Sequence, residues 1–117
     1  MVVAMASPYS ELADWFGALS HPVRLQILDM LRGGEVCVCH IEAALNKRQA
    51  YISQQLMELR QAGLVSSRKD GLQVYYRLAD ARIVDLLDLV RGPADARAVI
   101  EGCPCPHCSV VSLADIK

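Results

Sequence analysis

The sequence predicts a mainly α-helical domain with a β-hairpin, the α+β architecture of a winged helix-turn-helix. Two short amphipathic segments, residues 38–45 and 49–62, are joined by a polar link of three residues, which is typical of a helix-turn-helix. Two segments of alternating polarity follow and flank Asp70-Gly71, a dipeptide favoured in two-residue hairpin turns. The 117 residues suffice for one such domain and its core.

Apolar residues at helical spacing predict five helices. These cover about residues 11–19, 20–32, 38–45, 49–62 and 82–90. The buried side of the first helix is predicted to consist of Leu12, Trp15, Phe16 and Leu19. At the start of the second helix, His21 precedes Pro22, and a capping or surface role is expected for it. Gly33 is positioned to end that helix.

The predicted hairpin pairs residues 64–69 with residues 72–78 around Asp70-Gly71, which supplies the positive φ angles of a type I′ turn. The apolar positions of the second strand are Leu72, Val74, Tyr76 and Leu78. They alternate with Gln73, Tyr75 and Arg77. One face is therefore predicted to pack on the core and the other to contact a partner.

The charge distribution indicates a surface for phosphate groups. The net charge is −1, yet residues 47–77 carry six basic and two acidic side chains, a net charge of +4. The residues before and after this segment are net negative. Such a basic stripe is typical of nucleic-acid binding, although a solvated basic face has the same pattern.

Candidate contacts to double-stranded DNA follow from the helix-turn-helix, because its second helix lies in the major groove with its N-terminal side chains at base edges. Glutamine can bond to adenine bidentately, and hydroxyl groups suit phosphates or bases. The predicted contacts on and before this helix are Lys47, Arg48, Gln49, Tyr51, Ser53, Gln54 and Gln55. At the tip of the hairpin, Arg68 and Lys69 are predicted to contact phosphate. The alternative is that the helix residues form only the polar face of an amphipathic helix.

The five cysteines form two clusters, Cys37 with Cys39 and a second group of Cys103, Cys105 and Cys108. The sequence has no apolar run long enough to span a membrane and no signal-peptide pattern, so a cytoplasmic protein without a membrane partner is expected. In a reducing compartment, cysteines serve as ligands or redox thiols more often than as disulfides. Residues 1–102 are predicted to form the DNA-binding and dimerisation domain, and residues 103–117 an irregular cysteine-rich tail.

Four stretches together resemble the ArsR/SmtB family of metal- and metalloid-sensing repressors, over about residues 10–90. They are SHPVRLQILDML, EVCVCHIEAAL, YISQQLMELRQAGLVSSRKDG and VYYRL. The arsenic and cadmium sensors of that family carry a similar Cys-Val-Cys motif in the first helix of the helix-turn-helix. The resemblance implies a homodimer formed by the first and last helices. It also implies that the dimer binds an operator, expected to be an inverted repeat, without effector and releases it when an inducer binds.

Cys37 and Cys39 are predicted to be inducer ligands. Residues at positions i and i+2 of a regular helix point about 200° apart and cannot share an ion, whereas at an extended or frayed helix start they can. A helix N-terminus also favours the thiolate, the form that binds metals. The alternative is a pair of buried, unreactive cysteines.

A third sulfur ligand is not provided by this motif. In the arsenic sensors that the motif resembles, a third cysteine occupies the position of Glu42. We therefore expect the tail to fold back, from the same or the other protomer, and to supply Cys103, Cys105 or Cys108.

Thiolate ligands select thiophilic ions. As(III) or Sb(III), bound by three sulfurs, is the predicted inducer, and Cd, Pb or Zn with four ligands that include His40 or His107 is the alternative. A repressor that senses sulfide or oxidants by joining two cysteines is a further alternative. An enzyme is not expected, because the sequence shows no nucleophile-base pattern, phosphate-binding glycine loop or catalytic metal motif.

Overall fold

The structure, a computed structural model, describes residues 7–93 and has the predicted winged helix-turn-helix fold. In chain order its elements are α1 Pro8–Leu19, α2 Pro22–Leu31, β1 Val36–Cys37, α3 Val38–Leu45, α4 Gln49–Gln61, β2 Val65–Asp70, β3 Gln73–Leu78 and α5 Ala81–Arg91. The strands form one antiparallel sheet in the order β1-β3-β2. None of the helices in this part of the chain has the length and apolar character needed to cross a membrane. The predicted tail, residues 103–117, lies outside the described residues.

Local capping sets where the first two helices begin. Ser7 Oγ accepts the N–H of Tyr9 at 3.0 Å at the start of α1, and His21 Nδ1 accepts the N–H of Val23 at 3.2 Å at the start of α2. Both helices also have proline in the first turn, where its missing N–H breaks no helical hydrogen bond. The capping role predicted for His21 is confirmed.

The core is formed by aliphatic side chains from all five helices and the sheet. Its fully buried members are Ile27, Leu28, Ile41, Ile52, Leu56, Leu59, Leu64 and Ile83. Because α3 and α4 both contribute to this core, the helix-turn-helix is packed firmly against the rest of the domain.

The outer face of α1 differs from the prediction. Leu12 and Phe16 are 44% and 51% exposed, because α1 packs against the rest of the described chain along the side that contains Leu19. On α5, Leu89 and Val90 are also exposed. On α1 and α5 at least two large apolar side chains each are thus exposed to solvent, which is characteristic of an interaction surface.

A hydrogen bond joins α1 to the start of α5. Trp15 Nε1 donates to Asp80 Oδ2 at 2.9 Å, and Arg82 donates to the same carboxylate at 3.0 and 2.8 Å. The bonds from Arg82, and secondarily the bond from Trp15, hold the pKa of Asp80 well below its ordinary value. Asp80 also caps α5 by accepting the backbone N–H of Arg82.

The hairpin turn lies one residue later than predicted. Asp70 pairs with Gln73, so the two central residues of the turn are Gly71 and Leu72. Gly71 has a φ of 66°, whereas Asn46 alone among the described non-glycine residues has a positive φ. A positive φ at the first central position only is the pattern of a type II′ turn, so the type I′ prediction is wrong. Leu72 is 96% exposed at the tip, outside the apolar face predicted for it.

Strand β1 was not predicted, and it changes the environment of the hairpin. It pairs Val36 with Tyr76 and Cys37 with Tyr75. The predicted partner-facing position of Tyr75 is wrong, since this residue is only 5% exposed. Its ring packs with Cys37 and is covered by the guanidinium of Arg68.

Candidate nucleic-acid interface and thiol site

The start of α4 presents a polar surface to solvent. The helix begins at Gln49 after Arg48, whose side chain makes no capping hydrogen bond. The exposed members of the predicted contact set here are Lys47, Arg48, Gln49, Tyr51, Ser53 and Gln54. They lie at the N-terminal end of the second helix of the helix-turn-helix, the end that contacts base edges in this motif.

Two of these side chains have neighbours on the same surface. The hydroxyl of Tyr51 lies 3.4 Å from Nε2 of His21, and Gln54 Nε2 donates to Glu58 Oε2 at 3.1 Å. Both contacts are exposed, so a DNA group can replace them at little cost in desolvation.

Gln55 does not belong to this surface, and its prediction as a DNA contact is corrected. It is 6% exposed, and its Oε1 accepts a hydrogen bond from Nε of Arg24 at 2.9 Å. Gln55 follows Ile52 by three residues and precedes Leu59 by four, a spacing that places all three on one helix face. It therefore links α4 to α2 inside the domain.

The wing, formed by β2 and β3, carries two exposed cations near its tip, Arg68 and Lys69. Glu35 accepts hydrogen bonds from Nε and Nη2 of Arg68, both at 2.7 Å. These bonds raise the pKa of Arg68 above its ordinary value. The guanidinium also lies 4.7 Å from the centre of the Tyr75 ring. Arg68 is thus already paired with a carboxylate in the protein alone.

The sulfur atoms of Cys37 and Cys39 lie 2.6 Å apart where β1 meets α3. Cys37 is the N-cap of α3, with extended backbone angles of φ −79° and ψ 157°, and its sulfur accepts the N–H of His40 at 3.4 Å. Both cysteine side chains are thiols in the described structure; Cys37 is fully buried and Cys39 half-buried. The extended helix start required for a shared ligand is therefore present.

Cys39 lines a cleft of about 330 Å³ between the helix-turn-helix and the wing. The cleft is lined by Val38, Cys39, Glu42, Gln49, Ser53, Leu72, Gln73, Val74 and Tyr76. The thiol of Cys39 donates to Oε1 of Gln73 at 3.8 Å. Gln49 and Ser53 also belong to the exposed start of α4, the candidate DNA surface. The pair Cys37 and Cys39, here called the thiol site, therefore adjoins that surface.

Within residues 7–93, no group of three or more His, Cys, Asp or Glu side chains is arranged to hold a metal ion. His40 is buried, and Glu42 lines the cleft. The remaining predicted ligands, Cys103, Cys105, His107 and Cys108, lie outside the described residues. The described chain thus brings together two of the predicted sulfur ligands.

Glu35, Gln73 and Tyr75 also surround the site but were not predicted to belong to it. Alternation of Val36 and Val38 with the two cysteines is the signal that could have indicated an extended segment before α3. No local pattern could have paired Glu35 with Arg68, because 33 residues separate them along the chain.

The sequence profile described as "Bacterial regulatory protein, arsR family" matches residues 21–67, which include both cysteines and the start of α4. The chain is 40% identical over 85 residues to the biofilm growth-associated repressor of Agrobacterium fabrum, an alignment that covers 73% of this chain and 73% of that protein. It is also 40% identical over 76 residues to the transcriptional repressor SmtB homolog of Synechocystis sp., covering 65% of this chain and 58% of that protein.

The fold is similar to that of a homodimeric winged helix-turn-helix DNA-binding domain from Mycobacterium bovis, described as a possible ArsR-family transcriptional regulator and solved by solution NMR. The TM-score is 0.67 at 36% sequence identity, and the match covers 74% of this chain and 80% of the other.

Proposed function

Because the chain belongs to the ArsR/SmtB family of transcriptional repressors, we propose that it binds operator DNA as a homodimer and releases it when a thiophilic ligand binds Cys37 and Cys39. The observation that carries this proposal is the position of the thiol pair. The two sulfurs lie together at the first helix of the helix-turn-helix, and Cys39 lines a cleft shared with the candidate DNA surface.

DNA binding is supported by the exposed polar start of α4 and by the basic wing. Gln49, Ser53 and Gln54 are suited to base edges, and Lys47, Arg48 and Lys69 to phosphates. An exposed polar helix face alone would not need the local net charge of +4 over residues 47–77. An inverted-repeat operator follows if the protein is a dimer, because a twofold protein matches a twofold site.

Dimerisation is supported by the apolar side chains exposed on α1 and α5. These are Tyr9, Leu12 and Phe16 on α1 and Leu89 and Val90 on α5. Burying them against a second copy removes apolar surface from water. The M. bovis relative is described as homodimeric.

As(III) or Sb(III) is the proposed inducer. A pair of thiolates prefers thiophilic ions, and a trivalent metalloid needs one sulfur more than the described chain brings together. The tail of residues 103–117 offers three cysteines for that third position, in cis or in trans. Cd, Pb or Zn is the alternative, with a fourth ligand such as His107.

Release of DNA requires only a modest energetic difference. A ligand at Cys37 and Cys39 acts on the first turn of α3, and α3 packs against α4 in the common core. If the ligand-bound form disfavours the operator geometry by about 3 kcal/mol, operator affinity falls by about two orders of magnitude.

The test is operator binding titrated in parallel with arsenite, antimonite, cadmium, lead and zinc. We expect the protein to bind an inverted-repeat operator without any ion and to release it with arsenite or antimonite at the lowest concentrations. The matched control is the Cys37→Ser, Cys39→Ser double variant, which should bind operator and ignore every ion. Operator binding by the wild-type protein that none of the ions alters would contradict the proposal.

Oxidation of the thiols is a second candidate signal, favoured by the proximity of the two sulfurs at the start of α3. Two thiols and one peroxide would give one disulfide and two waters, with the protein losing two hydrogen atoms. Peroxide added to the same titration, with the intact mass measured before and after dithiothreitol, distinguishes the two signals. Reversible mass loss coupled to DNA release would indicate a redox switch.

A further inference from the structure

Glu35 and Arg68 connect the thiol site to the wing. Glu35 lies two residues before Cys37 at the entry to β1, and its carboxylate binds Arg68 of β2 through two hydrogen bonds of 2.7 Å. Glu35 has 21% of its side chain exposed and Arg68 has 50%. A bidentate pair of this kind fixes geometry as well as charge, because two parallel bonds allow one orientation of the guanidinium.

The same residues are also joined through the sheet. Cys37 is opposite Tyr75, and Tyr75 is opposite Arg68, so the three side chains form one row on one face of the sheet. Cys37 packs against Tyr75, and the guanidinium of Arg68 lies 4.7 Å from the centre of the Tyr75 ring. Arg68 is thus in contact with the thiol site by two routes, one through Glu35 and one through Tyr75.

A ligand shared by the two thiols must disturb this row. An ion shared by the two thiols needs a bond of about 2.3 Å to each sulfur. In the protein alone Cys37 has no exposed surface, so an ion cannot reach its sulfur in this arrangement. Its sulfur or the strand that carries it must therefore shift against Tyr75 and Glu35.

We propose that the Glu35–Arg68 pair transmits occupancy of the thiol site to the wing, so that the inducer changes where Arg68 is held relative to the DNA phosphates. This inference rests on the proposed function and names the route by which the inducer acts. Glu35 acts as a positioning residue, since it contacts neither the inducer nor the DNA. By linkage, the same pair transmits DNA binding back to the thiols.

The test compares Glu35→Gln with Asp70→Asn. Asp70 Oδ2 lies 3.7 Å from Nη1 of Arg68, so both substitutions remove a carboxylate beside the same guanidinium. Asp70 lies at the hairpin end of β2, and only Glu35 leads into β1. The measured quantity is the ratio of operator Kd with saturating arsenite to operator Kd without it, or with whichever ion releases the wild-type protein.

We expect both variants to bind operator at least as tightly as wild type without arsenite, because each loses a negative charge near the phosphates. Asp70→Asn should keep the wild-type ratio, while Glu35→Gln should reduce it about tenfold. Arg68→Lys, which keeps the charge but loses the bidentate geometry, should reduce the ratio as well. Arsenite affinity without DNA should be unchanged in Glu35→Gln, which shows that the thiol site itself is intact.

A wild-type ratio in both Glu35→Gln and Arg68→Lys would overturn the inference while leaving the proposed function in place. An equal reduction in Asp70→Asn would also overturn it, because charge near Arg68 would then be the cause. A wild-type protein that responds to none of the ions would instead contradict the proposed function, and the inference with it.

Discussion

The start of α4 and the thiol site adjoin each other but are built in different ways. The exposed side chains of α4 come from the single segment 47–54, and their exposure follows from the period of one helix. The thiol site combines Cys37 and Cys39 with Gln73 and Tyr75 of a distant strand. Substitution of one DNA-contacting residue should therefore remove only that residue's contacts. A ligand at the thiols should instead alter contacts between residues of the neighbouring strands.

The largest expected effect is the loss of induction in Cys37→Ser or Cys39→Ser. At position 37, serine is a preferred N-cap residue and can still accept the N–H of His40. At either position, serine is not a soft ligand. Operator affinity without arsenite should change by less than about 1 kcal/mol, while the response to arsenite disappears. Anisotropy titrations of labelled operator measure both quantities. If the folded variants failed to bind operator without any ion, the thiols would be structural and the two regions would not be separable.

Removing the tail after Gly102 is expected to weaken induction without abolishing repression. The two described thiols would remain, but the third sulfur would be lost, and the arsenite concentration for half-release should rise at least about tenfold. X-ray absorption on the intact and truncated proteins counts the sulfur ligands directly. An unchanged sulfur count and unchanged induction would show that the third ligand is not in the tail.

Alanine substitutions at two neighbouring glutamines should affect different properties of the protein. Gln54→Ala should lower discrimination between operator variants by about 1–3 kcal/mol and leave the free energy of unfolding nearly unchanged. Gln55→Ala should lower the free energy of unfolding by about 1–3 kcal/mol, because Arg24 loses its partner inside the domain. Operator variants and urea denaturation measure the two effects. A loss of sequence discrimination in folded Gln55→Ala would show that Gln55 contributes to DNA recognition.

Alanine substitutions at the two cations near the tip of the wing should differ by a smaller amount in their effect on DNA binding. Lys69→Ala should reduce the slope of log affinity against log salt by about 1, as expected for one phosphate contact. Arg68→Ala should reduce the slope by less, since Glu35 already neutralises part of its charge. Affinity measured at several salt concentrations decides the order. A larger effect at Arg68 would show that DNA displaces Glu35 from it.

The smallest effect concerns Asp80, which belongs to neither region. Its pKa is lowered in the folded protein, so its contribution to stability is present above the ordinary carboxylate value of 3.8 and is lost as the pH falls through and below that value. Wild type should therefore lose more thermal stability than Asp80→Asn between about pH 6 and pH 3. The ratio of operator Kd with and without arsenite should be the same in both proteins. Parallel melting curves in which the two proteins lose stability equally would show that Asp80 is not the group that titrates.

Most of the helical framework could be predicted because it depends on local spacing. The predicted bounds of α3 agree with the structure, α4 ends one residue earlier than predicted, and α5 extends one residue further than predicted at each end. The type of hairpin turn was predicted wrongly, because Asp70-Gly71 suits a type I′ turn locally while the strand register makes Gly71 the first central residue. The exposed side of α1 was also mispredicted, since apolar spacing identifies an apolar face but not which molecule covers it.

The sequence by itself determined the helix-turn-helix, the basic middle segment and the presence of two thiols at a helix start, because each of these depends on residues close together in the chain. Only the tertiary structure decided that Cys37 lies in a strand, that Tyr75 covers it and that Gln55 faces Arg24. It alone also paired Glu35 with Arg68. The physical reason is that these contacts join residues on different elements, whose meeting depends on how the whole core packs rather than on the period of any one segment.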